Sequence, residues 1–349
     1  MEGQALLQAR RLIVLVFALF VIGGFNLRVE AKETIDSANM TEPSLKRLVY
    51  IVSDTKIPFW SIMGKGIQSK AESLGYKLDI YSANNNAKHE LELVVKSIKE
   101  KVSGLIISPT TSAAAATILK FAKKSGIPVV ISDIGADSGD YVSYISSDNS
   151  DGAYKIGRIL AKEMVLKGWE GGSVGIIAIP QKRANGQART AGFMRAMNEK
   201  GLKTVGIFQQ INFSYQETYD FSNKLVHQNP GLRAIWLQGS DRYQAALDAI
   251  TDVGRQGEIL LVCFDAEPVF LELIPKGVLL GAAMQQPYLM GQKAVAEMDK
   301  HFNGKDVIKD VKLPVLAISG KNIREQLSLI QKNVLGLSVE DGGDDNAKK

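Results

Sequence analysis

Residues 127–149 read IPVVISDIGADSGDYVSYISSDN. The segment Pro128-Val129-Val130-Ile131-Ser132 is β-branched with no polar alternation, the pattern of a strand covered on both faces in a parallel α/β sheet. It ends in a carboxylate, Asp133. A loop through Gly135, Asp137, Ser138 and Gly139 follows, then a second strand predicted over Tyr141 to Ser146 and a polar cluster, Ser147-Asp148-Asn149. Ligands of open parallel sheets sit beyond the carboxyl ends of the strands. Asp133 is therefore either a turn or helix-capping aspartate or a group that holds a small molecule. Repetition of the same design along the chain favours the second reading.

Toward the N-terminus, Leu48 to Val52, Lys77 to Tyr81 and Gly104 to Ser108 read as strands. Each is followed by a helical pattern: apolar residues at helical spacing from Phe59 to Leu74, a helix from Ala87 that Asn84-Asn85-Asn86 can cap, and an alanine-rich helix that stops at Gly126. Strand–helix alternation at this interval implies right-handed crossovers and a parallel sheet. Beyond Asn149 the pattern restarts. Helices are predicted at 151–168, 186–200, 215–228 and 241–253, and strands at 173–179, 204–209, 232–237, 259–264 and 278–284. A helix from Pro287 to Phe302 and a strand from Leu313 to Ile318 come last, too little for a third domain. Two α/β units in series predict two lobes with a cleft between them.

The chain has 349 residues, 45% of them hydrophobic and 23% charged, ample for two ordinary cores. Its formal net charge of +5 comes from lysines scattered among acids, which excludes a nucleic-acid footprint. The one cysteine, Cys263, falls in a predicted core strand and reads as a small buried hydrophobe. The first thirty residues differ from the rest. Arg10-Arg11 precede an uninterrupted apolar run from Leu12 to Phe25, and Val29-Glu30-Ala31 follows. That order predicts a secretory leader cleaved after Ala31; the run is short for a membrane span of about 20 residues. At the other end, 338–349 is polar and charged and predicts a disordered tail without the spacing of a calcium loop.

The residues just past each strand form a consistent set. Phe59 and Trp60 open a helix after the first strand, and Asp133 follows the fourth. Arg189 lies in the first turns of the helix after Ile179, Phe213 follows the strand ending at Gln209, Asp265 follows Phe264, and Gln285 follows Met284. Aromatic faces stack on the apolar C–H faces of a polyhydroxylated ring, and Asp, Arg and Gln make directional bonds to its hydroxyls.

From about Lys46 to Ser319 the chain resembles the type I periplasmic sugar-binding proteins, the ribose/galactose class. The resemblance is carried, in order, by DTKIPFWSIMGKGIQSKAESLGY, GLIISPTTSAAAATILKFAKKSGIPVVISD, YISSDNSDGAYKIG, ARTAGF, LLVCFDAEP and MQQPYLMGQKAV. It implies a two-lobed fold in which each lobe is a parallel sheet flanked by helices, with the ligand cleft between. Residues 46–147 with 286–309 would form one lobe and 148–285 with 310–335 the other, with crossings near Ser147-Asp148, Gln285-Gln286 and 308–312. It makes Phe59 and Trp60 stacking residues, Phe213 a further wall, and Asp133, Arg189, Asp265 and Gln285 hydroxyl-binding groups. Three positions depart from the ribose-type pattern: Ile57 and Gly239 stand where asparagine is usual and Ile134 where arginine is usual. Lost hydroxyl partners predict reduced affinity for ribose and point to a less hydroxylated or larger ligand.

An enzyme is disfavoured. No G-x-G-x-x-G follows a strand, no Walker A motif is present, and His89, His227 and His301 lie on or at the ends of predicted helices, apart from any nucleophile. A repressor of the same fold would carry a helix-turn-helix where this chain has a leader. The expected protein is periplasmic and monomeric, with no cofactor and no metal. It would deliver a sugar-like ligand to an ABC permease or present its bound state to a membrane sensor kinase.

Overall fold

The structure, a computed structural model, describes residues 45–337. The predicted leader at 1–31 and tail at 338–349 lie outside the described residues. The first lobe is built from β1 (Arg47–Val52), α1 (Pro58–Ser73), β2 (Lys77–Ser82), α2 (Ala87–Lys99), β3 (Gly104–Ser108), α3 (Ser112–Lys124), β4 (Val129–Ser132) and β5 (Ser143–Ser147). The second takes α4 (Asn149–Leu166), β6 (Ser173–Ala178), α5 (Ala184–Glu199), β7 (Lys203–Gln209), α6 (Tyr215–Gln228), β8 (Leu232–Leu237), α7 (Tyr243–Asp252), β9 (Leu260–Phe264), α8 (Phe270–Leu273) and β10 (Gly281–Met284). Then α9 (Pro287–Phe302) and two short strands, β11 (Asp310–Leu313) and β12 (Leu316–Ser319), complete both lobes.

The two sheets repeat one plan. Their orders are β2-β1-β3-β4-β5-β11 and β7-β6-β8-β9-β10-β12, so the first strand of each lobe lies between the second and the third. Every pairing is parallel except β10 with β12. Alternate side chains feed two separate cores, as strand geometry requires. In β1, Leu48, Tyr50 and Val52 face α1 and α9 while Val49 and Ile51 face α2 and α3. In the second lobe Trp236 stacks on Phe193 with ring centroids 4.0 Å apart. Cys263 is fully buried in β9.

The chain passes between lobes after Ser147 and at Gln285-Gln286. The third passage corrects the expectation. The apolar run Leu313 to Ile318 is two strands, not one, because Pro314 has no N–H to give a ladder. β11 pairs with β5 in the first sheet and β12 with β10 in the second. Residues 310–313 therefore belong to the first lobe, and the crossing is at Pro314-Val315 rather than 308–312.

The two helices that re-enter a lobe, α4 and α9, lie against the helices that open it, α5 and α1. Glycine makes both approaches. A Cβ on Gly192 would stand 2.0 Å from the Ser150 carbonyl oxygen, and one on Gly66 2.1 Å from that of Tyr288. Both obstacles are backbone, so neither helix can yield by a side-chain rotation. Gly192→Ala is expected to lower stability by about 1–3 kcal/mol, the usual scale of overpacking, read as a lower melting temperature. An unchanged melting temperature would show that α4 and α5 are not locked at this contact.

Candidate functional site

The site begins at two equivalent positions. Asp133 follows β4 and Asp265 follows β9, with φ of 69° and 70°. Each amide donates to the next strand, Asp133 to Ile145 O at 2.9 Å and Asp265 to Ala283 O at 2.8 Å. Aspartate tolerates this left-handed conformation better than most residues. The turn takes the chain out of the sheet while leaving the carboxylate at the sheet's edge. One cavity between the lobes, about 390 Å³ outside the protein atoms, is lined by both aspartates together with Phe59, Trp60, Arg189 and Phe213. The lobes are drawn close together, with Arg183 and Asn185 of the second hydrogen-bonded to Thr110 and Asp133 of the first.

Asp133 accepts from Trp60 Nε1 at 3.1 Å within its own lobe and from Asn185 Nδ2 at 3.3 Å across the cleft. Burial pushes its pKa up to about 6, and the charge of Asp265 pushes the same way against Arg189 and the Trp60 bond. Asp265 is held by Gln285 Nε2 at 2.6 Å and by Arg189 Nη1 at 3.5 Å; burial raises its pKa as well. Gln285 does not line the cavity, but stands behind Asp265 and fixes its carboxylate. Its Oε1 is buried with no partner. Arg189 is fixed by Asn149 Oδ1 and the Gln238 carbonyl, both at 2.8 Å, with its guanidinium 3.8 Å over the Phe264 ring.

The aromatic walls come from both lobes. Phe59 and Trp60 open α1 behind Pro58 and meet edge to face at 6.3 Å. Phe213 stands opposite in a loop with φ 53°. The Glu217 carboxylate holds that loop by accepting from the amides of Ile211, Asn212 and Phe213 at 2.8–3.2 Å.

Arg183, Asn185, Asp241 and Arg242 also line the cavity; Asp241 stands among the residues just past a strand, but none of the four was assigned to the site from sequence. Arg183, only 4% exposed, reaches across from the second lobe. It donates Nε to Thr110 O at 3.1 Å and Nη2 to Asn85 Oδ1 at 3.2 Å and Ser53 Oγ at 3.4 Å. Arg242 pairs with Asp241 and donates to Phe213 O at 3.3 Å. Only their position just past β6 and β8 pointed to them. The three departures also separate. Ile57 and Gly239 line the cavity, whereas Ile134 is fully buried in the first lobe's core.

Residues 48–306 match the periplasmic binding protein domain, and the chain belongs to that family. The ribose import binding protein RbsB of Salmonella typhimurium is 28% identical over 310 residues, 88% of this chain and 96% of that one. The D-allose-binding periplasmic protein of Escherichia coli is 24% identical, over 72% of this chain and 84% of that protein. A carbohydrate transporter solute binding protein from Agrobacterium radiobacter, in complex with D-arabinose, shares the fold with a TM-score of 0.76 at 22% identity, covering 84% of this chain and 99% of that one. Among the described residues no helix is long and apolar enough to cross a membrane, and no cluster of side chains could hold a metal ion.

The Thr110 loop that receives Arg183 is anchored by a buried acid. Glu90 accepts from Thr110 N at 2.8 Å and Thr110 Oγ1 at 2.9 Å, and burial still pushes its pKa up to about 7. Glu267, on Ser240 Oγ at 2.7 Å, is likewise raised to about 7 by burial. A carboxyl whose folded pKa exceeds its unfolded value of about 4 stabilises the fold fully below that value, and the contribution is lost as pH rises through 6–7. The protein is therefore expected to melt higher near about pH 5.5 than near about pH 8, and Glu90→Gln to flatten that slope. A Glu90→Gln variant with the full wild-type slope would remove Glu90 as its source.

Proposed function

We propose that the protein captures a small polyhydroxylated ligand, a sugar or sugar-like molecule, between its lobes in the periplasm and delivers it to an ABC importer. One observation carries this reading. Two strand-end carboxylates, one from each lobe, share a cavity with Trp60 on one side and Phe213 on the other. A pyranose or furanose ring presents apolar C–H faces and a rim of hydroxyls, and that cavity offers a partner to each. Hydroxyls both donate and accept. The cavity supplies both kinds of partner, carboxylate acceptors at Asp133 and Asp265 and guanidinium donors at Arg183, Arg189 and Arg242.

In this reading Phe59, Trp60 and Phe213 form the walls, Asp133, Arg189 and Asp265 bond hydroxyls directly, and Gln285 positions Asp265. The same geometry supports a binding role: the cavity carboxylates and Arg189 are held by their neighbours in fixed orientations, as groups that recognise a ligand are. The ligands named for the similar proteins, ribose, allose and arabinose, set the first panel to try.

Calorimetry of the mature protein against that panel and myo-inositol tests the reading. Asp133→Ala and Arg189→Ala each remove a charge-assisted bond worth roughly 1.5–3 kcal/mol, and should weaken binding by about one to two decades. Lys124→Ala, at an exposed position near the end of α3, should leave affinity unchanged. Wild-type affinity in both cleft variants would mean that the ligand lies elsewhere.

A further inference from the structure

The charges of the cleft are not evenly spread. Asp265 pairs with Arg189, whereas Asp133 has no cation in contact and feels Arg189 and Arg183 only through space. At the other end two guanidiniums flank Phe213, with Arg183 Cζ 5.3 Å and Arg242 Cζ 5.0 Å from its ring centroid. Arg242 has Asp241 beside it but keeps a buried Nε without an acceptor. Arg183 has only neutral acceptors, Thr110 O, Asn85 Oδ1 and Ser53 Oγ. Among the described residues no carboxylate lies within ion-pair distance of it, and its Nη1 makes no hydrogen bond. A buried cation without an anion is costly, and such groups are ordinarily paired.

Arg183 and Phe213 also form the wall between the inner cavity and a second, outer one of about 1040 Å³ outside the protein atoms. The outer cavity is lined by Lys182 and Arg183 among neutral residues such as Thr110, Gln209 and Gln210, and by no aspartate or glutamate. The inner cavity holds three aspartates. Gly239 belongs to the same arrangement. A Cβ there would stand 3.1 Å from Arg242 Nη2, so the glycine leaves room for the guanidinium. An arginine fork suits carboxylate or phosphate oxygens far better than a lone hydroxyl.

We propose that the preferred ligand is an acidic sugar, its ring held at Asp133 and Asp265 and its anionic substituent bound by Arg183, with Arg242 and Lys182 beside it. The proposal rests on the sugar-binding reading above and adds the charge of the ligand. A neutral sugar satisfies the aspartate end and leaves Arg183 with no anion in contact, only the longer-range charges of Asp133 and Glu90. A carboxylate or phosphate at the junction of the two cavities answers that charge and has the outer cavity to project into. Arg183 then sets specificity as well as joining the lobes.

Calorimetry with matched pairs decides it: D-galactose against D-galacturonate, and D-ribose against D-ribose 5-phosphate, on the wild type and on Arg183→Gln and Lys182→Gln. The acidic member of at least one pair should bind the wild type about tenfold to a hundredfold tighter than its neutral parent. The first pair assigns a carboxylate and the second a phosphate. Arg183→Gln should erase the preference, the acid losing at least about tenfold more affinity than its neutral parent, and the exposed Lys182→Gln should reduce it. Neutral parents binding as tightly as the acids would overturn the inference and leave sugar binding standing. So would an Arg183→Gln variant that weakens both members of a pair equally, because the arginine would then serve closure alone. Should no sugar of either kind bind, the broader reading falls with it.

Discussion

Three arginines and three aspartates line a cavity closed between two lobes. Charge taken out of water must be met by opposite charge or by hydrogen bonds, and that requirement organises the site. Asp265 is met by Arg189 and Gln285, Asp133 by an indole and an amide, Asp241 by Arg242. Two of the site's side chains bond across to the opposite lobe. Asn185 reaches Asp133, and Arg183 reaches the loops after β1, β2 and β3. The lobes are thus joined by polar groups, which water can replace when they part. An apolar seam would hold the lobes shut. A polar one leaves opening and closing near balance, where a ligand's differential contacts can decide it.

The fold prepares this by repetition. Each sheet places its first strand between the second and third, so the crossovers leave in opposite directions and a crevice forms at the carboxyl ends. Asp133 and Asp265 occupy the same place in the two copies. The helices that cross between lobes pack through Gly66 and Gly192 against α1 and α5. Those helices carry Phe59 and Trp60 at one side of the cavity and Asn185 and Arg189 at the other. A hinge motion therefore carries each half of the site as a rigid piece.

Much of this was legible in the sequence because buried parallel strands write themselves as β-branched runs, and each run that ends in Asp marks a sheet edge. Asn86, Thr111, Asp148 and Ser214 cap their helices through side-chain oxygens, so those boundaries also stood in the sequence. Pro314 was the local signal for splitting Leu313 to Ile318, but which sheet each half joins depends on pairing across many residues. Arg183, Asn185 and Arg242 were harder still. In a loop, a charged or amide residue that faces the other lobe has the same composition as one that faces water. Ile134 shows the converse: its place after Asp133 suggests the cleft, yet the left-handed turn at Asp133 sends it into the core.

The central claim is that a sugar is held between the lobes, its hydroxyls taking the place of water at groups supplied from both sides. Without it, water can take the sugar's place at these groups and the cleft can open. Small-angle X-ray scattering of the protein, with and without a saturating sugar identified by calorimetry, reads this directly. The account predicts a smaller radius of gyration and a shorter maximum dimension on binding. A bound sugar that leaves both unchanged would contradict it.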